Sequence, residues 1–213
     1  MENIILRNET EQDYQAVENV TREAFWNVHV PGCNEHYLVH VMRDSELFIT
    51  DLDFVAELDG KVVGNIMYAH SMVTEGDDKI YPVITFGPVS VLPAYQNKGI
   101  GAMLIRHTIN LAREMGYPAI FIYGDPEYYK RFGFVPAETY KIKNSAGKYA
   151  DALQVLELEK GALEDIVGRF CEGELYDIDE KEAEAFDAQF PAKEKTHTPT
   201  QDRFSVLIRA VHK

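Results

Sequence analysis

Basic residues are scarce in this chain. Twenty-one Lys and Arg stand against 35 Asp and Glu, a formal net charge of −14. Non-specific nucleic-acid binding needs a basic footprint, so no nucleic-acid partner is expected. The acidic excess suits the steering of a cationic substrate, or simply solubility. Cysteine is nearly absent. Cys33 and Cys171 form no metal-ligand or redox spacing, which predicts free thiols in a reducing cytoplasm and no metal site. No apolar run reaches the length of a membrane span. The amino-terminal stretch MENIILRNETEQDYQ lacks the basic and apolar regions of a signal peptide, so a cytoplasmic protein without a membrane partner is expected. Internal repeats and low-complexity tracts are missing too. What is present is material for a core: 213 residues, 46% hydrophobic and 11% aromatic, enough for one sizeable domain with an appendage or for two small ones.

The chain is organised around residues 81–116, YPVITFGPVSVLPAYQNKGIGAMLIRHTINLAREMG. Residues 83–92 are β-branched and apolar, a buried strand interrupted by Gly87-Pro88. Proline removes a ladder donor and glycine invites a bulge, so the strand is expected to be broken or splayed there. Pro93 ends it. Gln96-Asn97-Lys98-Gly99-Ile100-Gly101 then turns into a helix whose apolar face is predicted at Leu104, Thr108, Leu111 and Met115. Gly116-Tyr117-Pro118 stops that helix. The first turn of a helix carries free N–H groups and the positive end of the macrodipole, a fitting place for phosphate. Gly99 and Gly101 let an anion approach the main chain, and Lys98 adds a cation. The spacing matches neither G-x-x-x-x-G-K-[ST] nor G-x-G-x-x-G. It is Q-x-x-G-x-G between a strand and a helix.

That pattern, preceded by V-S-V-L-P-A-Y, resembles the coenzyme A pyrophosphate loop of the GNAT-type N-acetyltransferase superfamily, bacterial-type members included. The order of predicted elements, β-α-α-β-β-β-α-β-α-β over residues 3–160, resembles the same family. The resemblance implies an α/β acyl-CoA N-acyltransferase fold: a mixed, mostly antiparallel sheet, splayed at its centre and flanked by helices. It implies acetyl-CoA as co-substrate, with no metal. The acetyl-pantetheine arm would pair with Val89, Ser90 and Val91, and the pyrophosphate would sit on Gln96, Asn97, Lys98, Gly99, Ile100, Gly101 and Ala102. It implies direct acetyl transfer to a primary amine, of a small molecule or of a protein, in a ternary complex. Dimerisation is common in the family, so a homodimer is possible. The alternative is an acyl-CoA-binding sensor or interaction module without catalysis.

In chain order, residues 3–7 read as a strand. Thr10 with Asp13 starts a helix bearing Tyr14, Val17, Val20 and Phe25, broken by Pro31-Gly32. Residues 34–43 read as a second helix with Leu38, Val41 and Met42 inward. Residues 54–58 and 61–68 form a hairpin around Asp59-Gly60. Residues 74–79 read as a polar loop, 119–123 as an apolar strand and 155–158 as another. Asp125-Pro126-Glu127 opens a short helix. Residues 157–194 hold thirteen acidic and four basic residues, net −9. The division is therefore a domain over 1–160 and an acidic extension over 161–213, packed on or next to it. That extension would cover the substrate cleft, form a subunit contact or simply pack. Within it, 180–190 favours helix, 191–203 a polar loop and 204–211 a strand.

Acetyl transfer needs a donor where charge develops on the carbonyl, a base for the amine and an acid for the thiolate. Tyr128-Tyr129-Lys130-Arg131-Phe132-Gly133-Phe134 resembles the family's Y-x-x-x-G-F ending. This implies Tyr129 as the acid, with anchoring of the pantetheine or core packing as its other readings. Gly124-Asp125-Pro126-Glu127 lacks the family's Asn-x-x-Ala, and no carboxylate stands on the splayed strands. Glu57, His70, Glu35 and His36 are the base candidates. His70 reads equally as a surface residue, and Glu35 and His36 as a solvated helix face. Lys98, Arg106, Arg113, Lys130 and Arg131 are the cations available to a polyanion.

Overall fold

A computed structural model describes residues 3–76 and 79–213. In chain order the elements are β1 (Ile5–Asn8), α1 (Tyr14–Phe25), α2 (Glu35–Met42), β2 (Phe54–Leu58), β3 (Lys61–Glu75), β4 (Lys79–Val91) and α3 (Ile100–Glu114). There follow β5 (Ala119–Tyr123), α4 (Pro126–Tyr129), β6 (Val135–Pro136), β7 (Ile142–Lys143), β8 (Tyr149–Ala150) and β9 (Leu153–Glu157). The carboxy-terminal part adds β10 (Gly168–Cys171), α5 (Glu180–Asp187), α6 (Pro199–Arg209) and β11 (Val211–His212). The main sheet runs β1-β2-β3-β4-β5-β9-β6, with β10 paired to β3 and β7, and β11 pairs with β8. No helix among the described residues is long and apolar enough to cross a membrane.

Local chemistry accounts for the starts. The Asp13 carboxylate accepts from the Thr10 N–H at 2.9 Å and its hydroxyl at 2.7 Å, and from Arg7 of β1 at 2.7 and 2.8 Å. One carboxylate thus fastens the entry of α1 to the sheet edge. Asp59 and Gly60 take positive φ, 51° and 77°, as a two-residue turn between right-twisted strands requires. The polar 74–79 stretch is shorter as a loop than expected. Thr74 and Glu75 still belong to β3 and Lys79 opens β4. Residues 77–78 lie outside the described residues.

The centre of the sheet opens as the sequence predicts. β4 pairs antiparallel with β3, and the register shifts between Ile66 and Tyr68, opposite Gly87-Pro88. That is the bulge expected where a ladder donor is missing. Against β5, parallel pairing is confined to Ile84–Ile120 and Thr85–Phe121. From Phe86 onward the two strands diverge.

Apolar side chains fill both faces. Ile66, Tyr68, Ile84, Phe86, Ile120 and Ile122 lie with Leu104, Ile105 and Ile109 of α3. Met67, Val55 and Val62 lie with α1 and α2. The inward face of α3 is rotated from the predicted one. Ile100, Leu104, Ile105, Thr108, Ile109 and Ala112 are buried, Leu111 is half-buried and Met115 is exposed. The i, i+4, i+7 spacing held two stripes in this helix, and the sheet takes the one richer in β-branched residues. The buried pair Tyr68 Oη and Thr108 Oγ1, 2.9 Å apart, locks α3 to β3. In α2, Val39 rather than Val41 is buried alongside Leu38 and Met42.

The carboxy-terminal segment departs most from expectation. Residues 199–209 form α6, where a polar loop and then a strand were predicted. Pro199 at the first helical position presets φ, and Phe204 stacks on His29 with ring centroids 4.0 Å apart. Val206 and Ile208, which gave the stretch its strand-like composition, point outward. A strand that the sequence reading missed, β10, joins the sheet edge at Cys171–Met72 and Phe170–Val73. Phe170 is fully buried and stacks on Phe121 of β5 at 4.6 Å.

Candidate active site

The splayed centre and the amino terminus of α3 meet at one place. Leu92 donates its N–H to Val63 of β3 at 2.9 Å. Strand alternation then turns the Ser90 peptide toward β3 and the Val89 and Val91 peptides toward the opening. The Val91 carbonyl accepts from Gln96 Nε2 at 3.0 Å, so Gln96 stitches the loop to the end of the strand. Ser90 is buried the other way. Its hydroxyl donates to Thr21 Oγ1 at 3.2 Å, which donates to Asn65 Oδ1 at 3.2 Å. Ser90 therefore holds β4 against α1 and β3, while Val89 and Val91 present the free edge.

The loop itself keeps side chains away from the helix start. Asn97 and Gly99 take positive φ, 61° and 85°, and Gly99 is the N-cap of α3 with no side chain capping the first turn. Those first-turn N–H groups are consequently available to an anion. At Gly101 a Cβ would lie 3.6 Å from Tyr128 Oη and 3.6 Å from Val91 Cγ2, so Gly101 is the floor between the helix start, the open edge and the Tyr128 hydroxyl. Cations gather nearby. Lys98 lies over Tyr95 at 5.1 Å, Arg131 over Tyr128 at 3.8 Å and Arg106 over Phe132 at 5.1 Å. Lys130 pairs with Glu127 at 2.5 Å. Arg113 is elsewhere, reaching the Leu158 carbonyl at the far end of α3.

Tyr129 stands inside the opening. α4 begins where the Asp125 carboxylate accepts from the Glu127 N–H at 2.9 Å, with Pro126 at its first position, as the sequence predicts. The Tyr129 ring lies among Phe86 at 5.9 Å, Phe134 at 5.7 Å and Tyr128 at 4.9 Å. It lies so close on the Gly124 backbone that any Cβ at residue 124 would overlap it. Burial, with the neighbouring Tyr128 adding to it, raises the Tyr129 hydroxyl above the ordinary tyrosine value. The group stays protonated at neutral pH and can act as a donor.

None of the four base candidates belongs to this opening. Glu57 is paired with Arg7 at 2.8 Å on the β1 side. His70 is exposed and neighbours Tyr117. Glu35 accepts from the Asn34 N–H at 3.1 Å and lies 2.9 Å from His29 Nδ1. His36 is not on a solvated face but fully buried. Its Nδ1 lies 3.3 Å from Cys33 Sγ. Its Nε2 is 3.1 Å from Asp187 Oδ1, out of line for a hydrogen bond. The Cys-His-Asp sequence looks like a nucleophile's triad, but burial pushes the Cys33 thiol up to about 12 and holds His36 below its ordinary value. Thiolate and imidazolium are both disfavoured, so the cluster is structural. Sequence reasoning missed Tyr176, which comes to the opening from the segment after β10, and Glu172 of the same segment, in electrostatic reach of it. The Tyr176 hydroxyl donates to the Gly87 carbonyl at 3.4 Å. No motif marks them, because a strand-addition contact leaves no local spacing.

Comparison with known proteins agrees with this geometry. The profile of the acetyltransferase (GNAT) domain matches residues 51–136. The chain is 34% identical over 100 residues to the uncharacterized N-acetyltransferase YjhQ of Escherichia coli K12, covering 46% of this chain and 54% of that protein. It thus spans about half the length of YjhQ. It is 28% identical over 166 residues to the uncharacterized N-acetyltransferase YhbS of the same organism, covering 78% and 93%. Among solved structures, YhbS of Escherichia coli in complex with CoA superposes with a TM-score of 0.73 at 24% identity, covering 84% and 94%. A GNAT family acetyltransferase from Brucella melitensis in complex with acetyl-CoA gives 0.67 at 27% identity, covering 83% and 99%. The mixed sheet opened between β4 and β5 and the uncapped start of α3 thus accompany a match of residues 51–136 to the GNAT domain and a fold shared with GNAT acetyltransferase structures.

Proposed function

We propose that the protein transfers an acetyl group from acetyl-CoA to a primary amine, directly and without a covalent enzyme intermediate. The observation that carries this reading is the unpaired edge of β4 running straight into an uncapped helix start. An extended thioester arm and a pyrophosphate need these two features side by side. Gln96, Asn97, Lys98, Gly99, Ile100, Gly101 and Ala102 would hold the pyrophosphate. The Val89 and Val91 peptides would hold the arm, with a free N–H for the carbonyl oxygen as charge grows on it. Ser90 would keep that edge in place from behind. Tyr129, held protonated, would give its proton to the leaving sulfur. The relatives with bound CoA and acetyl-CoA support the choice of co-substrate. The buried Cys33 and its raised thiol support the absence of a cysteine relay. Residues 1–160 would form the catalytic domain, and 161–213 an extension closing its acceptor side.

The test is release of CoA from acetyl-CoA in the presence of spermidine, tyramine, lysine methyl ester and a short peptide with a free amino terminus. Each product is identified by mass spectrometry. Amine-dependent release with an N-acetylated product is expected. Tight acetyl-CoA binding with no transfer to any of them would favour the acyl-CoA sensor instead.

A further inference from the structure

The opening between β4 and β5 has a second side, facing α1 and away from α3, and it is polar. Continuing the parallel register of Ile84–Ile120 and Thr85–Phe121 places Tyr123 across the gap from Gly87. Thr85 and Ser71 share that face, since Ser71 is paired with Val83 and Val83 packs in the cluster with Phe121 and Phe170. Both hydroxyls are buried, Thr85 at 1% and Ser71 at 6% exposure, and neither has a hydrogen-bond partner among the described residues. The orphaned Thr85 hydroxyl, at the last paired position before the gap, points to a polar ligand, with Ser71 further back on the same face. The wall is closed by the segment after β10. The Phe170–Phe121 stack seats it and Tyr176 ties it to Gly87. Glu172 lies in that segment, two residues past Phe170, with its carboxylate in electrostatic reach of Tyr123 and Tyr176.

We propose that this face is the acceptor pocket, that it takes a small cationic primary amine, and that Glu172 is the base accepting the proton from its ammonium group. The proposal rests on the acetyltransferase reading above. The carboxylate takes one proton from the ammonium, leaving a neutral amine and a carboxylic acid. The nitrogen lone pair forms the bond to the acetyl carbon, and the carbon–sulfur pair leaves on sulfur. Tyr129 gives its proton to that sulfur and recovers the second proton of the nitrogen. Glu172 returns its proton to water through the mouth at Tyr123, which is 40% exposed.

The groups in electrostatic reach of Glu172 are Tyr123 of β5, and Tyr176 and Asp177 of its own segment. Among the described residues no cation accompanies them. Burial, followed by Asp177, pushes the Glu172 carboxyl up to about 7. A base must be ionised, so activity rises with pH through that value.

The experiment is kcat/KM against pH, from about 5.5 to 9, for wild type, Glu172→Gln and Glu172→Asp, with acetyl-CoA and the amines above. Acetyl-CoA binding and thermal unfolding are measured in parallel. Wild type shows a rising limb with its midpoint near 7. Glu172→Gln, the same size and uncharged, stays folded, binds acetyl-CoA normally, loses the limb and falls about 100-fold. Glu172→Asp keeps the limb and loses about tenfold from its shorter reach. A Glu172→Gln enzyme with an unchanged limb and activity within about threefold of wild type overturns the base while leaving the acetyltransferase reading intact. A limb missing from Glu172→Asp overturns it too, including where Glu172→Gln does not fold. A wild type that acetylates no amine overturns both readings together.

Discussion

Tyr129→Phe is expected to lower kcat by about 100-fold and to leave the affinity for acetyl-CoA within about threefold. The loss is confined to the hydroxyl. The ring stays between Phe86 and Phe134 and on the Gly124 backbone, so the fold and the shape of the opening are retained. A hydroxyl that only anchored the arm would show its loss in binding instead. Tyr128→Phe separates the two. Its hydroxyl sits over Gly101 beside the helix start, so its removal is expected to raise the KM for acetyl-CoA several-fold with kcat unchanged. Steady-state kinetics of both variants checks this. A Tyr129→Phe enzyme with unchanged kcat would reduce Tyr129 to packing.

Asp187→Ala is expected to destabilise the protein by about 3 kcal/mol, and Asp187→Asn by about half as much. Asp187 of α5 meets Arg22 Nε of α1 at 2.6 Å, and the Arg22 side chain is only 3% exposed. Without the carboxylate a buried guanidinium is left unpaired. The figure belongs at the low end for breaking a buried pair, because Arg22 keeps its stacking on Trp26 at 4.3 Å and Phe190 at 5.3 Å. Asparagine keeps an acceptor and removes only the charge. In a chain of this size the alanine variant should melt about 6–12 °C lower. Denaturant unfolding and calorimetry measure both. A change under about 1 kcal/mol would mean that docking of α5 adds little to the fold. The pair also bears on function, because α5 follows the segment that carries Glu172 and Tyr176.

The parts of the molecule legible in the sequence are those whose causes are local. Gly87-Pro88 announced the bulge, because a missing donor breaks any ladder. Gln96 to Gly101 announced the turn, because positive φ at Gly99 and an uncapped helix start depend on neighbours in sequence. Asp125-Pro126 announced α4 for the same reason. The rest depends on what the chain packs against. Leu111 and Leu104 look alike in the helical period, and only the curvature of the sheet selects the stripe that is buried. His36 carries no mark distinguishing a solvated helix face from a cavity closed by α5, 150 residues later in the chain. Residues 204–211 have the composition of a strand, but Pro199 and the seat of Phe204 on His29 make most of them a helix. Glu172 was hidden by the same logic. A lone carboxylate in an acidic extension becomes a candidate base only when β10 adds itself to the sheet edge and carries its segment to the opening.

Calorimetric titration with acetyl-CoA, run on wild type beside Gly101→Trp and Gly101→Ala, tests the central claim most directly. The alanine Cβ would meet its neighbours at ordinary contact distance, 3.6 Å, so Gly101→Ala is expected to bind nearly as wild type. An indole cannot fit between the helix start, Val91 and Tyr128, and Gly101→Trp is expected to lose at least about 100-fold in affinity while remaining folded. Saturable one-to-one binding by wild type, lost in the tryptophan variant, places acetyl-CoA on the 96–102 loop. No binding by wild type, or binding untouched by Gly101→Trp, would contradict the account and leave the glycine loop as a turn between a strand and a helix.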